Sequence, residues 1–201
     1  MRAYRRVERN LYELHPDVRM KRVATAQKIC EEGMVAEGEG NTDAAIERYR
    51  CALEYDPVCV GALINLGTLM YQRKDFAAAE MCYREAVGAD PHHALAWFDL
   101  GVIEEERSSE AAMRCYRRAL EYDSSRTDAH FNLAQLHEKM GQWRAAAVHY
   151  SEYLAHTDDP QVWRDLAKHR LEMVRKHDLR LVKKAPEGAV IREEGLLTAG
   201  S

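Results

Sequence analysis

Histidine and cysteine are the side chains in this sequence that could bind a metal or act as nucleophiles. There are nine histidines and five cysteines among 201 residues. His130 and His137 lie seven positions apart (130 to 137), which is two helical turns and too far to hold one ion without other ligands. The chain has no HExxH motif, CxxC pair, Gly-rich phosphate loop or GxSxG motif. We therefore expect no metal site, no cofactor, no small-molecule substrate and no catalysis.

The five cysteines are better explained as apolar filler. Their number is odd, and Cys82 and Cys115 each precede a tyrosine in two similar segments. A free cysteine behaves as a small hydrophobic residue and is commonly buried. We expect free, buried thiols.

A repeat indicates which elements carry these residues. Leu66-Gly67 recurs as Leu100-Gly101, 34 positions later (66 to 100). A second set recurs 33 positions later (79 to 112): Ala79, Tyr83 and Ala86 become Ala112, Tyr116 and Ala119. Self-similarity at this period indicates stacked helix pairs, in which no pair buries its apolar face alone. The low content of Pro (5) and Gly (11) also favours helix.

The repeated segments resemble the tetratricopeptide repeat (TPR). Its units read W-x2-L-G-x2-Y in the first helix and A-x3-F/Y-x2-A in the second, and a Pro closes the unit. The resemblance covers about 26–176, and it is degenerate in the first unit, where Ile29, Glu32 and Gly33 replace Trp, Leu and Gly. It implies an all-α, right-handed α-solenoid of about four TPR helix pairs with an N-terminal helix and a C-terminal capping helix.

The boundaries follow from the Gly and Pro positions and from the loss of periodicity near the end. We expect a basic amphipathic N-terminal helix over 1–16, a TPR domain over 17–177 and a disordered tail over 178–201. Within the domain, the apolar stripe of the capping helix includes Trp163, Leu166, Ala167, Leu171 and Val174. The expected repeats are about 26–59, 60–93, 94–126 and 127–159, and the capping helix is 160–177.

The first helices of TPR units line the inside of the superhelix, where extended peptides or partner helices bind. The resemblance therefore implies a peptide-binding set on this concave face. Asn65 and Asn132 are equivalent, and each amide could bond a peptide backbone or bridge adjacent helices. Phe98 and Phe131, also equivalent, could supply contact area or be half-buried packing. The full set is Asn65, Thr68, Gln72, Phe98, Asp99, Phe131, Asn132, Gln135, Arg164 and Lys168.

Charge on this inward face predicts the character of the partner. Cations lie at its C-terminal end, and most of it is acidic, which favours a segment of basic or neutral character. TPR domains that clamp chaperone tails use Lys and Asn where Cys30 and Met34 stand here, which argues against that subtype. The acidic side chains are Glu31, Glu37, Asp99, Glu105, Glu106, Asp128 and Glu138.

These features predict a non-catalytic adaptor or scaffold that binds a protein or peptide. Two alternatives stay open: a cytoplasmic chaperone for a secreted or assembly-prone client, and a regulator whose basic N-terminal arm contacts nucleic acid. A net charge of -4 argues against nucleic acid as the main partner. No apolar run approaches 18 residues, and the basic N-terminus lacks the apolar core of a secretory signal. We therefore expect a cytoplasmic protein without a membrane span.

Overall fold

The computed structural model describes residues 15–184, 190–191 and 197–198. The expectations for residues 1–14, and most of those for the tail, lie outside this part of the chain. The described residues form nine α-helices and two strands of two residues each. The bounds are α1 Pro16–Gly38, α2 Thr42–Tyr55, α3 Val60–Gln72, α4 Phe76–Ala89, α5 Ala94–Glu104, α6 Ser109–Tyr122, α7 Thr127–Lys139, α8 Trp143–His156, α9 Gln161–Lys184, β1 Val190–Ile191 and β2 Leu197–Thr198.

Taken two by two along the sequence, the first eight helices are α1/α2, α3/α4, α5/α6 and α7/α8, numbered as pairs 1 to 4, and α9 follows as the predicted capping helix. This helix continues to Lys184 instead of ending at 177. The added stretch, DLRLVKK, contains no Gly or Pro that would stop a helix. The two short strands pair antiparallel, with Val190 opposite Thr198 and Ile191 opposite Leu197.

Side-chain caps fix where three of the second helices begin. The side chains of Asn41, Asp75 and Ser108 accept hydrogen bonds from the backbone N–H three residues later, at 3.2, 3.1 and 3.2 Å. Each bond satisfies one of the backbone donors that a helix leaves unpaired at its start. The caps lie 34 (41 to 75) and 33 (75 to 108) positions apart, so the residue missing from the third repeat is missing before the α6 cap.

The turns inside pairs 1, 2 and 4 need a left-handed residue. Gly40 and Gly141 have φ values of 78° and 71°, and Lys74 takes the same place in the second turn with φ 63°. Glycine adopts this conformation without steric cost, whereas lysine there is strained. The helix pair therefore keeps its turn even where the sequence lacks the preferred residue.

The predicted packing positions form the core. The recurring alanines at 45, 79, 112 and 146 are fully buried, and so are the tyrosines four residues after each of them, or nearly so. The glycines of the first helices make room for these rings. A Cβ atom built at Gly33 would lie 2.6 Å from a Tyr49 ring carbon, and one at Gly67 would lie 2.7 Å from a Tyr83 ring carbon.

By its internal contacts the chain divides into two compact units. The N-terminal unit extends to Ile103, and the C-terminal unit begins at Glu104. In the C-terminal unit, Ala167, Leu171 and Val174 of α9 share one buried cluster with Ala146 and Tyr150 of α8.

The capping helix packs differently from the expectation at Trp163. The sequence places this ring on the apolar stripe, but the side chain is 50% exposed. It lies one turn before Ala167, and its ring packs at a steep angle against Phe131 of α7. The buried stripe therefore begins later along α9 than the sequence suggests.

Candidate functional site

All ten predicted binding residues lie on first helices or on the capping helix. The N-terminal unit carries Asn65, Thr68 and Gln72 on α3, and Phe98 and Asp99 on α5. The C-terminal unit carries the other five on α7 and α9, namely Phe131, Asn132, Gln135, Arg164 and Lys168. The two sets belong to different units, and each is described by itself.

The two equivalent asparagines contact tyrosines of the preceding helix pair. Asn132 Nδ2 donates to the Tyr116 hydroxyl at 3.1 Å. Asn65 lies near the Tyr49 hydroxyl and partly offsets the rise in the pKa of that tyrosine. These contacts favour the bridging role over the peptide-binding role, although each amide keeps further donor and acceptor capacity.

The buried tyrosines also donate hydrogen bonds to carboxylates that were expected to give the binding face its negative charge. Tyr49 donates to Glu37 at 2.8 Å, and Tyr150 donates to Glu138 at the same distance. Tyr116 donates to Glu105 at 2.5 Å. The acidic character of the first-helix face is therefore weaker than its composition suggests.

Burial first, and then the neighbouring carboxylate, raises the pKa of Tyr49, Tyr116 and Tyr150 well above the usual range. In the second pair Tyr71 stands where the other pairs have glutamate, and the Tyr83 hydroxyl instead pairs with Thr68 Oγ1 at 3.4 Å. Burial raises the pKa of Tyr83 to about 12. Glu37, Glu105 and Glu138 recur at the repeat period, and this recurrence is the signal in the sequence that predicts their contacts with the repeated tyrosines.

Phe131 is the centre of an aromatic group in the C-terminal unit. Its ring centroid lies 5.0 Å from that of Tyr153 and 5.9 Å from that of Tyr150. Trp163 approaches edge-on, with centroids 6.3 Å apart and planes at 82°. Phe131 is thus half-buried packing, and the exposed aromatic surface at this place belongs to Trp163, which the predicted binding set lacked.

The other predicted binding residues on α7 and α9 are polar. Gln135 and Lys168 are exposed, and Lys168 Nζ lies 3.5 Å from Asp165 Oδ1. Arg164 is half-buried, and within the described residues its Nε is a buried donor without a hydrogen-bond partner. On α3 of the N-terminal unit, Gln72 is exposed, whereas Thr68 is half-buried and donates to the Ile64 carbonyl at 3.1 Å.

Family models described as "Tetratricopeptide repeat" and "TPR repeat" match residues 30–80 and 69–112, and residues 108–141, respectively. Together they cover residues 30–141, which is 112 of the 201 positions. The chain belongs to the tetratricopeptide repeat family. The predicted fold class, an all-α solenoid of TPR helix pairs, is confirmed.

Three solved TPR structures show the same fold at low sequence identity. A MamA protein is 21% identical, covers 84% of this chain and 98% of its own, and has a TM-score of 0.60. YrrB, titled a TPR protein with an unusual peptide-binding site, is 15% identical over 75% of this chain and 76% of its own (TM-score 0.63). The first TPR of Spaghetti (RPAP3), bound to an HSP90 peptide, is 24% identical over 57% and 92% (TM-score 0.54). Among curated proteins there is no match.

The histidines of the fourth TPR converge more than the sequence suggested. His149 of α8 lies between His130 and His137 of α7, with His130 Nδ1 and His149 Nδ1 3.0 Å apart. The His137 and His149 rings stack at 5.4 Å. Burial lowers the pKa of all three and brings that of His149 to about 4. Within the described residues, no group of three side chains has the geometry to hold a metal ion.

Arg22, near the start of α1, makes its contacts within the TPR domain. Arg22 of α1 donates to the carbonyls of Glu54 and Tyr55, at 2.6 and 3.1 Å, and lies over the Tyr55 ring at 5.6 Å. These carbonyls are at the C-terminal end of α2, where a positive charge is favourable. The positive charge of Arg22 is therefore explained by these contacts with the end of α2 and does not require an external ligand.

Proposed function

We propose that this TPR protein is a non-catalytic adaptor that binds a peptide or partner segment on the first helices of its repeats. TPR arrays generally use extended surfaces for protein binding. The observation that carries the proposal is the half-exposed Trp163, which contacts Phe131, while Gln135 and Lys168 are exposed polar side chains on the same two helices, α7 and α9. A rigid aromatic side chain with polar neighbours is typical of an energetically important interface residue.

The partner is proposed to be a segment of basic or neutral character. In the C-terminal unit, Glu106 and Asp128 are exposed carboxylates of the acidic set, and Asp128 also pairs with Arg126 at 3.2 Å. Glu31 is an exposed carboxylate of the N-terminal unit. A surface of one sign raises the association rate of an oppositely charged ligand. Arg164 and Lys168 add positive charge at the capping helix, where an uncharged or acidic residue of the ligand would fit.

Peptide display on the intact chain tests this proposal. Selected peptides are measured by fluorescence anisotropy against the wild type and the double variant Trp163→Ala, Gln135→Ala. We expect the Kd to rise at least about tenfold, or about 1.4 kcal/mol. Because Trp163 is half-exposed, the variant should keep its circular dichroism spectrum and most of its stability. Gln72→Ala tests the N-terminal unit in the same assay.

Arg114→Ala is the matched control, because Arg114 is an exposed side chain on α6, a second helix. It should leave the Kd unchanged. Equal Kd values for the wild type and for the double variant, together with a loss in Arg114→Ala, would place the site on the second helices and overturn the proposal.

The alternatives receive no separate support. The basic arm that would contact nucleic acid lies mostly in residues 1–14, outside the described part of the chain. Salt-dependent DNA binding that is lost on deletion of residues 1–16 would favour it. Within the described residues, no helix is long and apolar enough to cross a membrane. A cytoplasmic location and a chaperone role stay predictions.

A further inference from the structure

Two of the five cysteines lie together at the boundary between the first and second TPR. Cys30 is on α1, and Cys59 is the N-cap residue of α3. Their exposed fractions are 7% and 9%. A Cβ atom built at Gly61 would lie 3.6 Å from Cys30 Sγ, so this sulfur lies over the first turn of α3. The two thiols lie close enough to shift each other's pKa.

The pair is chemically asymmetric. Contact with the Cys30 thiol, with help from the backbone N–H groups of Ala62 and Gly61, lowers the pKa of Cys59 although burial opposes this shift. The same contact and burial raise the pKa of Cys30. A thiolate at a helix N-terminus is a good nucleophile because free backbone donors stabilise its charge. Because Cys59 is the N-cap residue of α3, it is the sulfur placed to attack as a thiolate, and Cys30 is the neighbouring thiol.

We infer that Cys30 and Cys59 form a reversible disulfide that joins the first helix of the first repeat to the first helix of the second. The oxidant is a hydroperoxide. The Cys59 thiolate attacks the peroxide oxygen and becomes a sulfenic acid, and the peroxide leaves as hydroxide or alkoxide. The Cys30 thiol then attacks the Cys59 sulfur, the S–O bond breaks, and water leaves with the Cys30 proton.

The other cysteines provide internal controls. Cys82 is buried in α4, and burial raises its pKa to about 11, so little thiolate forms at neutral pH. Cys51 is half-buried on α2. A bond between residues 30 and 59 would also restrict the unfolded chain, so the oxidised protein should melt at a higher temperature than the reduced one.

Peroxide oxidation of the full chain with peptide mapping tests the inference. Cys51 and Cys59 fall in one tryptic peptide, 51–73, so the Cys51→Ser variant is used as the parent. After hydrogen peroxide treatment we expect a linked species of peptides 29–48 and 51–73 that is lighter by two hydrogens than their sum. Two thiols should be lost, and dithiothreitol should restore both.

Two further variants separate the chemistry from nonspecific oxidation. Cys30→Ser in the same parent should leave Cys59 as a sulfenic acid that dimedone traps. Cys82→Ser should form the disulfide at the parent rate. The inference is overturned if 30 and 59 stay unlinked, if Cys82 is oxidised as fast as Cys59, or if linkage follows the loss of helical circular dichroism.

Discussion

The second and fourth helix pairs differ in the small residue that lies against their buried tyrosine. In both, a buried tyrosine of the second helix packs against a small residue of the first. The second pair has Gly67 under Tyr83, with no room for a Cβ atom, whereas the fourth has a fully buried Ala134 and a fully buried Tyr150. The repeat thus specifies which positions approach each other, but not how closely.

The same two pairs also differ in how the tyrosine hydroxyl is satisfied. Tyr83 has a hydroxyl partner, Thr68 Oγ1, at 3.4 Å. Tyr150 donates to the Glu138 carboxylate at 2.8 Å, and Arg170 of the capping helix donates to the other oxygen of that carboxylate at 3.1 Å. The second pair therefore relies on close contact, and the fourth on a charged network that includes the capping helix.

The largest expected effect comes from adding a methyl group in the second pair. Gly67→Ala would place a Cβ atom 2.7 Å from Tyr83 Cε1 and 3.0 Å from Cδ1, and this ring is buried. We expect a loss of about 1–3 kcal/mol in the free energy of unfolding, because overpacking outweighs the helix preference of alanine. Urea unfolding followed by circular dichroism measures it.

Gly88→Ala in α4 is the matched control. A Cβ atom there would have no neighbour within 4 Å, so the variant should be more stable by about 0.5–1 kcal/mol. If Gly67→Ala were also more stable than the wild type, Tyr83 could shift, and the contrast between the two pairs would disappear.

The next effect concerns the hydroxyl groups. Tyr150→Phe removes a donor from the part-buried Glu138, and hydrogen bonds to charged groups contribute about 1.5–3 kcal/mol. We expect the free energy of unfolding to fall by about 1.5 kcal/mol, because Arg170 still pairs with the carboxylate. Tyr83→Phe should cost less than about 1 kcal/mol, since its partner is neutral and distant. Equal losses in urea unfolding would contradict the distinction.

The sequence predicted which residues are buried better than it predicted which side chains they contact. The alanines at 79 and 146 and the tyrosines at 83 and 150 are buried as the repeat period required, because that period fixes which face of each helix meets its neighbour. Whether Asn132 faces a ligand or the Tyr116 hydroxyl depends on side-chain geometry between helices, which periodicity does not encode. The exposure of Trp163 was not predicted for the same reason. A stripe of apolar residues on a helix does not show how far along that helix the neighbouring helices bury it.

The last expected effect is a dependence of the fourth pair on pH. His149 faces His130 and His137 of α7, and the charges that act on these three rings are Arg117 of α6 and Glu152 and His156 of α8. The bond between His130 Nδ1 and His149 Nδ1 requires that one of these two nitrogens carries no proton.

Burial holds the pKa of His149 at about 4, below the 6.5 of the unfolded chain, so protonation favours unfolding. The stability that the neutral ring provides is present above pH 6.5 and is lost as the pH falls towards 4. The full shift corresponds to about 3 kcal/mol, and partial exposure of the ring reduces the expected loss to about 1–2 kcal/mol.

Hydrogen exchange between pH 6.5 and 4.5, corrected for intrinsic rates, measures this loss in α7 and α8, with α3 and α4 as the internal reference. Protection should fall in α7 and α8 relative to that reference. His149→Gln should flatten the pH dependence, because it removes the titrating group that faces the other two rings. His169→Gln, at an exposed position on α9, should leave it unchanged. A parallel loss of protection in both helix pairs would mean that acid acts on the whole chain, and the histidine group would then not distinguish the fourth pair from the second.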